Sequence, residues 1–136
     1  MRDIKFRAWD KENKRMLPVD YMKLDFGKVP YVNGETFSKD DGWFDYELCD
    51  DEFELMQSTG LKDKRGTEIY EKDIVKFSNR DSRYKSKGEV VWWQGEAAFL
   101  IKCDNEIYKH FDEVSELEVI DNIYENPELL GENNEL

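Results

Sequence analysis

Residues 55–77 read Leu-Met-Gln-Ser-Thr-Gly-Leu-Lys-Asp-Lys-Arg-Gly-Thr-Glu-Ile-Tyr-Glu-Lys-Asp-Ile-Val-Lys-Phe. No other stretch of the chain mixes apolar anchors and turn-forming residues so densely. Thr59-Gly60 and Lys64-Arg65-Gly66 are turn formers, because glycine reaches positive φ at no steric cost. Leu61, between them, is expected to be a buried anchor. Ile69-Tyr70 and Ile74-Val75-Lys76-Phe77 are short apolar runs of strand type, separated by Glu71-Lys72-Asp73. Turns this frequent leave no room for helical periodicity. The stretch holds no histidine, no cysteine and no metal-ligand spacing.

The same rhythm continues on both sides. Asp3 to Trp9 alternates, with Ile4, Phe6 and Ala8 on one side and Lys5 and Arg7 on the other, which is the period of a half-buried strand. Asp10 to Lys14 is a polar break before Met16-Leu17, so a hairpin is expected, with Pro18 confining its return arm to an edge. Asn33-Gly34, between Tyr31-Val32 and Thr36-Phe37, is the sharpest tight-hairpin signal in the chain. Residues 20–52 otherwise read as the least regular part. Downstream, strands are expected near 53–57, 73–78, 89–93, 97–103 and 117–124, with Ser78 to Gly88 a surface loop and Asp104-Asn105-Glu106 a turn. Asn126 followed by Pro127 reads as an N-cap and first helical residue of a short final helix. Many short strands point to a mainly β protein, a small barrel or sandwich.

Composition narrows the function classes. The chain has 136 residues, 38% charged, and a formal net charge of -12. That charge is patchy: residues 35–54 carry -8, residues 61–87 carry +4 and residues 88–136 carry -11. An acidic surface serves solubility first. Complementary patches on one chain also favour pairing between copies. Cys49 and Cys103 lack CxxC spacing and are expected to be buried or half-buried free thiols. No run reaches the roughly 18 apolar residues of a membrane span, and the N-terminus has no apolar signal region, so a soluble cytoplasmic protein is expected.

Chemistry-bearing motifs are few. His110 is the only histidine, and it stands without a nucleophile constellation. Asp40-Asp41-Gly42 lacks the alternating ligands and distal glutamate of a calcium loop. No catalytic, cofactor-binding or metal-ligating residue is therefore assigned. Two stretches remain as a candidate interaction surface. The segment 79–87 contributes Arg80, Arg83, Lys85 and Lys87 for phosphates and Tyr84 for base stacking. Trp92-Trp93 places one indole on each face of a strand. One is expected in the core, and the other covered by another segment or subunit, or exposed as a contact site.

Three blocks, "MRDIKFRAWD", "LMQSTGLKDKRGTEIYEKDIVKF" and "LEVIDNIYENPELL", resemble the YopX family of small phage and prophage proteins, in the family's order and across nearly the whole chain. The resemblance implies an SH3-like barrel and self-association, and no established activity. It implies turn roles for Gly60, Gly66 and Asp73, and packing roles for Leu61, Ile69, Tyr70 and Val75. One departure stands out: the family commonly has glycine where Lys72 stands, and positive φ is costlier for lysine.

The resulting expectation is an N-terminal β segment with a variable acidic insertion over 1–52, an SH3-like barrel over 53–130 with a short C-terminal helix, and a flexible tail over 131–136. Its expected role is a non-enzymatic binding or assembly module of phage or prophage origin. It is expected to be homo-oligomeric, in the host bacterial cytoplasm, without cofactor or membrane, and with a host protein as a further candidate partner. The alternatives are a nucleic-acid-associated factor using the 79–87 segment, and an acidic nucleic-acid mimic that inhibits a host protein.

Overall fold

The computed structural model describes residues 4–80, 84–103 and 107–131. Among them the chain is mainly β, with one short helix near the C-terminus. It divides into two compact units, Asp3–Gln57 and, together with Met1–Arg2, Ser58–Leu136. The expected turn at Asp104-Asn105-Glu106 and the tail beyond 131 lie outside the described residues.

In the N-terminal unit, β1 (Phe6–Asp10) pairs with β2 (Arg15–Pro18) as an antiparallel hairpin. Asp10, 1% exposed, holds the turn between them. Its carboxylate accepts from the backbone N–H of Glu12 at 3.1 Å and of Asn13 at 3.2 Å. Asp and Asn favour such turns because their side chains replace missing backbone partners. Pro18 sits on an edge strand, where its missing N–H costs no ladder bond. The first half of β6 (Phe53–Lys62) pairs with the other edge of β1, Ala8 opposite Leu55. Ile4 does not follow the pattern of Ala8: it lies outside β1 and is 69% exposed.

Residues 20–52 are more regular than their composition indicates. They form an antiparallel three-stranded sheet, β3 (Tyr21–Asp25), β4 (Lys28–Ser38) and β5 (Gly42–Cys49). The β4–β5 register runs unbroken from Tyr31 opposite Cys49 to Ser38 opposite Gly42. Asn33-Gly34 is not a turn but lies within β4. Gly34 is needed there for close approach. A Cβ would come within 2.9 Å of Pro18 O and 3.0 Å of Tyr46 Cε1. The tight turn falls instead at Phe26-Gly27, with φ of 52° and 79°, as a two-residue hairpin of the I′ kind requires. Val32, Tyr46 and Leu48 face inward and share a core with Ala8 and Leu17.

In the C-terminal unit, the second half of β6 pairs with β7 (Glu68–Tyr70). A five-stranded antiparallel sheet follows, with order β11-β10-β9-β8-β12. Its members are β8 (Asp73–Asn79), β9 (Lys85–Trp93), β10 (Ala98–Lys102), β11 (Tyr108–Lys109) and β12 (Val114–Asn122). The helix α1 (Glu128–Gly131) closes the described chain and packs near β9. Val75, Phe77, Val90, Ile101 and Val114 form the core with Ile69. Each such side chain contributes about 1.5–3 kcal/mol by leaving water.

Leu61 corrects the reading of the opening stretch: it is 45% exposed. Gly60, at φ 85°, sits where the β6–β7 register shifts between Ser58 and Lys62. A bulge of this kind breaks the two-residue alternation and turns the next side chain outward. The expected loop 78–88 is also mostly strand. β8 runs to Asn79, β9 starts at Lys85, and Gly88 is buried, where a Cβ would meet Ile101 Cγ2 at 2.6 Å.

Candidate interaction surfaces

Alternation along β8 and β9 decides where the basic residues go. Val75 and Phe77 point into the core, so Lys76 points out. Residues directly opposite in a ladder share a face. Lys87, opposite Lys76, and Lys85, opposite Ser78, therefore join that outer face. Glu118 of β12, opposite Lys76, joins it too. The turn after β6 brings further cations: Arg65 Nη1 lies 2.9 Å and Lys64 Nζ 3.9 Å from the Glu118 carboxylate, and Lys76 Nζ lies at 3.5 Å. The Arg65 hydrogen bond and these neighbouring charges hold Glu118 below the usual glutamate range. Arg80 leaves β8 toward Val114, its Nε 3.5 Å from that carbonyl. Tyr84, before β9, is 77% exposed. Arg83 lies outside the described residues.

The paired tryptophans are placed differently from the expectation, since neither enters the core. Trp92 is 47% and Trp93 41% exposed. They end β9, beyond the buried Val90, at the tip of the β9–β10 hairpin. Trp92 meets its cross-strand partner Phe99 edge to face at 5.1 Å, and Trp93 lies over Tyr108 at 4.8 Å. Gly95 leaves room for the Trp93 ring, as a Cβ there would stand 2.9 Å from Nε1. His110 closes the same end. Its Nε2 lies 2.8 Å from Glu96 Oε1 and its Nδ1 3.4 Å from Glu113 Oε1. The Glu96 hydrogen bond, then that of Glu113, raises the His110 pKa above the ordinary histidine value.

A third surface lies within the acidic stretch 35–54, whose individual residues the sequence did not single out. On β4–β5, Val32, Tyr46 and Leu48 face the core. Their neighbours Glu35, Asp45 and Glu47 therefore face out, with Phe37 and Trp43 further along. Trp43 is 71% exposed and meets Phe37 edge to face at 5.7 Å. Glu35, Asp45 and Glu47 also rim an open cleft of about 410 Å³, together with Asp20. Asp20 accepts from the Glu35 N–H at 3.0 Å. Tyr46 donates its hydroxyl to Pro18 O. Burial, then the Asp20 charge, pushes the Tyr46 pKa up. The sequence clue was the alternation of acids and aromatics from Trp43 to Cys49. Among the described residues, no three His, Cys, Asp or Glu side chains converge as metal ligands. Cys49 is exposed rather than buried, Cys103 is half-buried, and neither is in a disulfide. No helix among the described residues is long and apolar enough to cross a membrane.

Fold and surfaces define a small, mainly β protein whose notable chemistry lies on exposed sheet faces and a hairpin tip. The chain belongs to the YopX family: the family described as YopX protein matches residues 5–131. Solved structures similar to it include the following two. Protein EF1440 from Enterococcus faecalis is 28% identical, with a TM-score of 0.66 over 96% of this chain and 99% of its own. Protein yopX from Bacillus subtilis is 22% identical and shares the fold, with a TM-score of 0.60 over 93% of this chain and 97% of its own. No curated protein sequence matches the chain.

Proposed function

We propose that this chain is a non-enzymatic binding and assembly module that associates with copies of itself. The observation that carries the reading is the aromatic tip of the β9–β10 hairpin. Trp92 and Trp93 are both substantially exposed, and each is braced by a second ring. Indoles held in place by neighbours lose little freedom on contact. Tryptophan is also among the residues that dominate association energies. A second copy packed against the tip would cover exposed indole surface. The proposal also takes the β8–β9–β10 meander with β12 beside β8 as an SH3-like barrel. It sets the protein in a host bacterial cytoplasm as a phage or prophage product, in keeping with the family resemblance.

Light scattering on size-exclusion eluate tests the assembly role. At tens of micromolar, where a standard interface holds, the protein should elute above monomer mass. Trp92→Ser with Trp93→Ser should weaken association by about tenfold or more, while the melting temperature changes little because neither ring is in the core. A wild-type monomer at that concentration overturns the reading.

A further inference from the structure

The three-stranded β3–β4–β5 sheet and the five-stranded sheet each carry a like-charge pair on the face turned away from the core, and the signs are opposite. Glu35 stands directly opposite Asp45 in the β4–β5 ladder. Lys76 stands directly opposite Lys87 in the β8–β9 ladder. Like charges at opposed positions are about 4.5–5.5 Å apart at Cβ and destabilise a sheet. Among the described residues, Glu35, Asp45, Glu47, Lys85 and Lys87 form no ion pair within the chain. Both faces thus hold charge that the fold leaves uncompensated.

The spacing of the two rows also agrees. Asp45 and Glu47 are two residues apart on one strand, as are Lys85 and Lys87 on the other. Same-face side chains two residues apart along a strand repeat at about 6.8 Å. Two rows with this repeat can meet one to one. Trp43 and Phe37 flank the acidic row on the same face and offer ring faces to lysine stems and ammonium groups.

We propose that the acidic face of β4–β5 in one copy docks on the basic face of β8–β9 in a second copy. The proposed contact is head to tail, one face of each copy on the other face of the next, so repetition gives rings or open chains. Glu116 and Glu118 sit at the margin of the basic face and are occupied by Lys64, Arg65 and Lys76. Lys85 and Lys87 remain for the partner. The inference rests on the reading of the chain as a self-assembling module and adds to the aromatic tip a second, electrostatic contact.

Charge exchange between faces tests it. Asp45→Lys with Glu47→Lys, and separately Lys85→Glu with Lys87→Glu, should each weaken self-association about tenfold or more at low salt. An equimolar mixture of the two variants should recover association, since each supplies the face that the other has lost. Wild-type association should fall between about 20 and 300 mM salt as screening shortens from beyond the interface to within it. Should a reversal variant fail to melt cooperatively, the neutral set Asp45→Asn, Glu47→Asn, Lys85→Gln and Lys87→Gln reads the same salt slope, which should flatten. Wild-type association that ignores both salt and the reversals overturns this contact and leaves the aromatic tip standing. A wild-type monomer at low salt overturns both. Retention of the wild type on single-stranded DNA, lost in the lysine variant and with no recovery of association on mixing, assigns the basic face to nucleic acid and overturns the head-to-tail contact.

Discussion

Lys72 holds φ at 72°, a conformation that costs an L-residue roughly 1–2 kcal/mol. The structure keeps it there by pairing both backbone groups: the Lys72 N–H donates to Val90 O at 2.8 Å, and its carbonyl accepts from the Ile123 N–H at 3.0 Å. Its ammonium lies 3.7 Å from Glu89, a partly exposed pair of small value. Lys72→Gly relieves the strain, less about 0.5–1 kcal/mol of added unfolded-state freedom. A net gain of about 0.5 kcal/mol is expected in urea denaturation. Lys72→Val should lose stability, because a branched Cβ tolerates positive φ worst. Equal midpoints for the two variants would contradict this account. Glycine, which the family resemblance implies at this place, is the residue that such a positive φ favours. Gly34 shows the converse. In sequence, Asn-Gly reads as a turn; in the fold, the glycine answers to Pro18 and Tyr46, which no local rule includes.

At the scale of elements, Asp63 ties the 63–67 turn to β12. Its carboxylate accepts from the N–H groups of Arg65 and Thr67 at 2.9 Å each, and of Val119 at 2.9 Å. Burial works to raise its pKa, but those three donors and the Arg65 charge outweigh it, and the net direction is down. Asp63→Ala leaves the Val119 N–H without its acceptor and should cost about 2–3 kcal/mol. The pH dependence has a definite sign. A depressed carboxylate stabilises the fold fully above its ordinary value of about 3.9 and loses that contribution as pH falls toward the folded-state value. Acid titration of wild type against Asp63→Ala should therefore show their stabilities converging below about pH 4; a constant gap would place the effect elsewhere. The turn itself was legible from Lys64-Arg65-Gly66. Its attachment to β12, more than fifty residues later, was not, because the hydrogen bond depends on tertiary approach. Leu61 failed for a related reason: the bulge at Gly60 reverses its facing, and a bulge is invisible to a two-residue period. Trp92 and Trp93 failed because alternation assigns a face but not whether the core extends as far as the strand does.

For the whole molecule, a net charge of -12 makes the folded chain repel itself. Added salt screens that repulsion and should raise the melting temperature between about 20 and 150 mM. The same salt should weaken the head-to-tail contact. Opposite responses of melting and association are the expected signature, measured by calorimetry and light scattering on one salt series. A melting temperature that falls with salt would mean that internal ion pairs outweigh the net repulsion.

The sequence by itself determined the mainly β class, the N-terminal hairpin, the approximate places of the C-terminal strands and the final helix, because these follow from side-chain period and turn chemistry acting over a few residues. It also determined the family, through three blocks kept in order. Only the tertiary structure decided that 20–52 is a regular sheet, that Leu61 and both tryptophans are exposed, and that Lys76, Lys85 and Lys87 share a face opposite in sign to that of Glu35, Asp45 and Glu47. The reason is physical. Periodicity says which side chains point together, but strand pairing alone says which strands lie side by side, and so which charges meet.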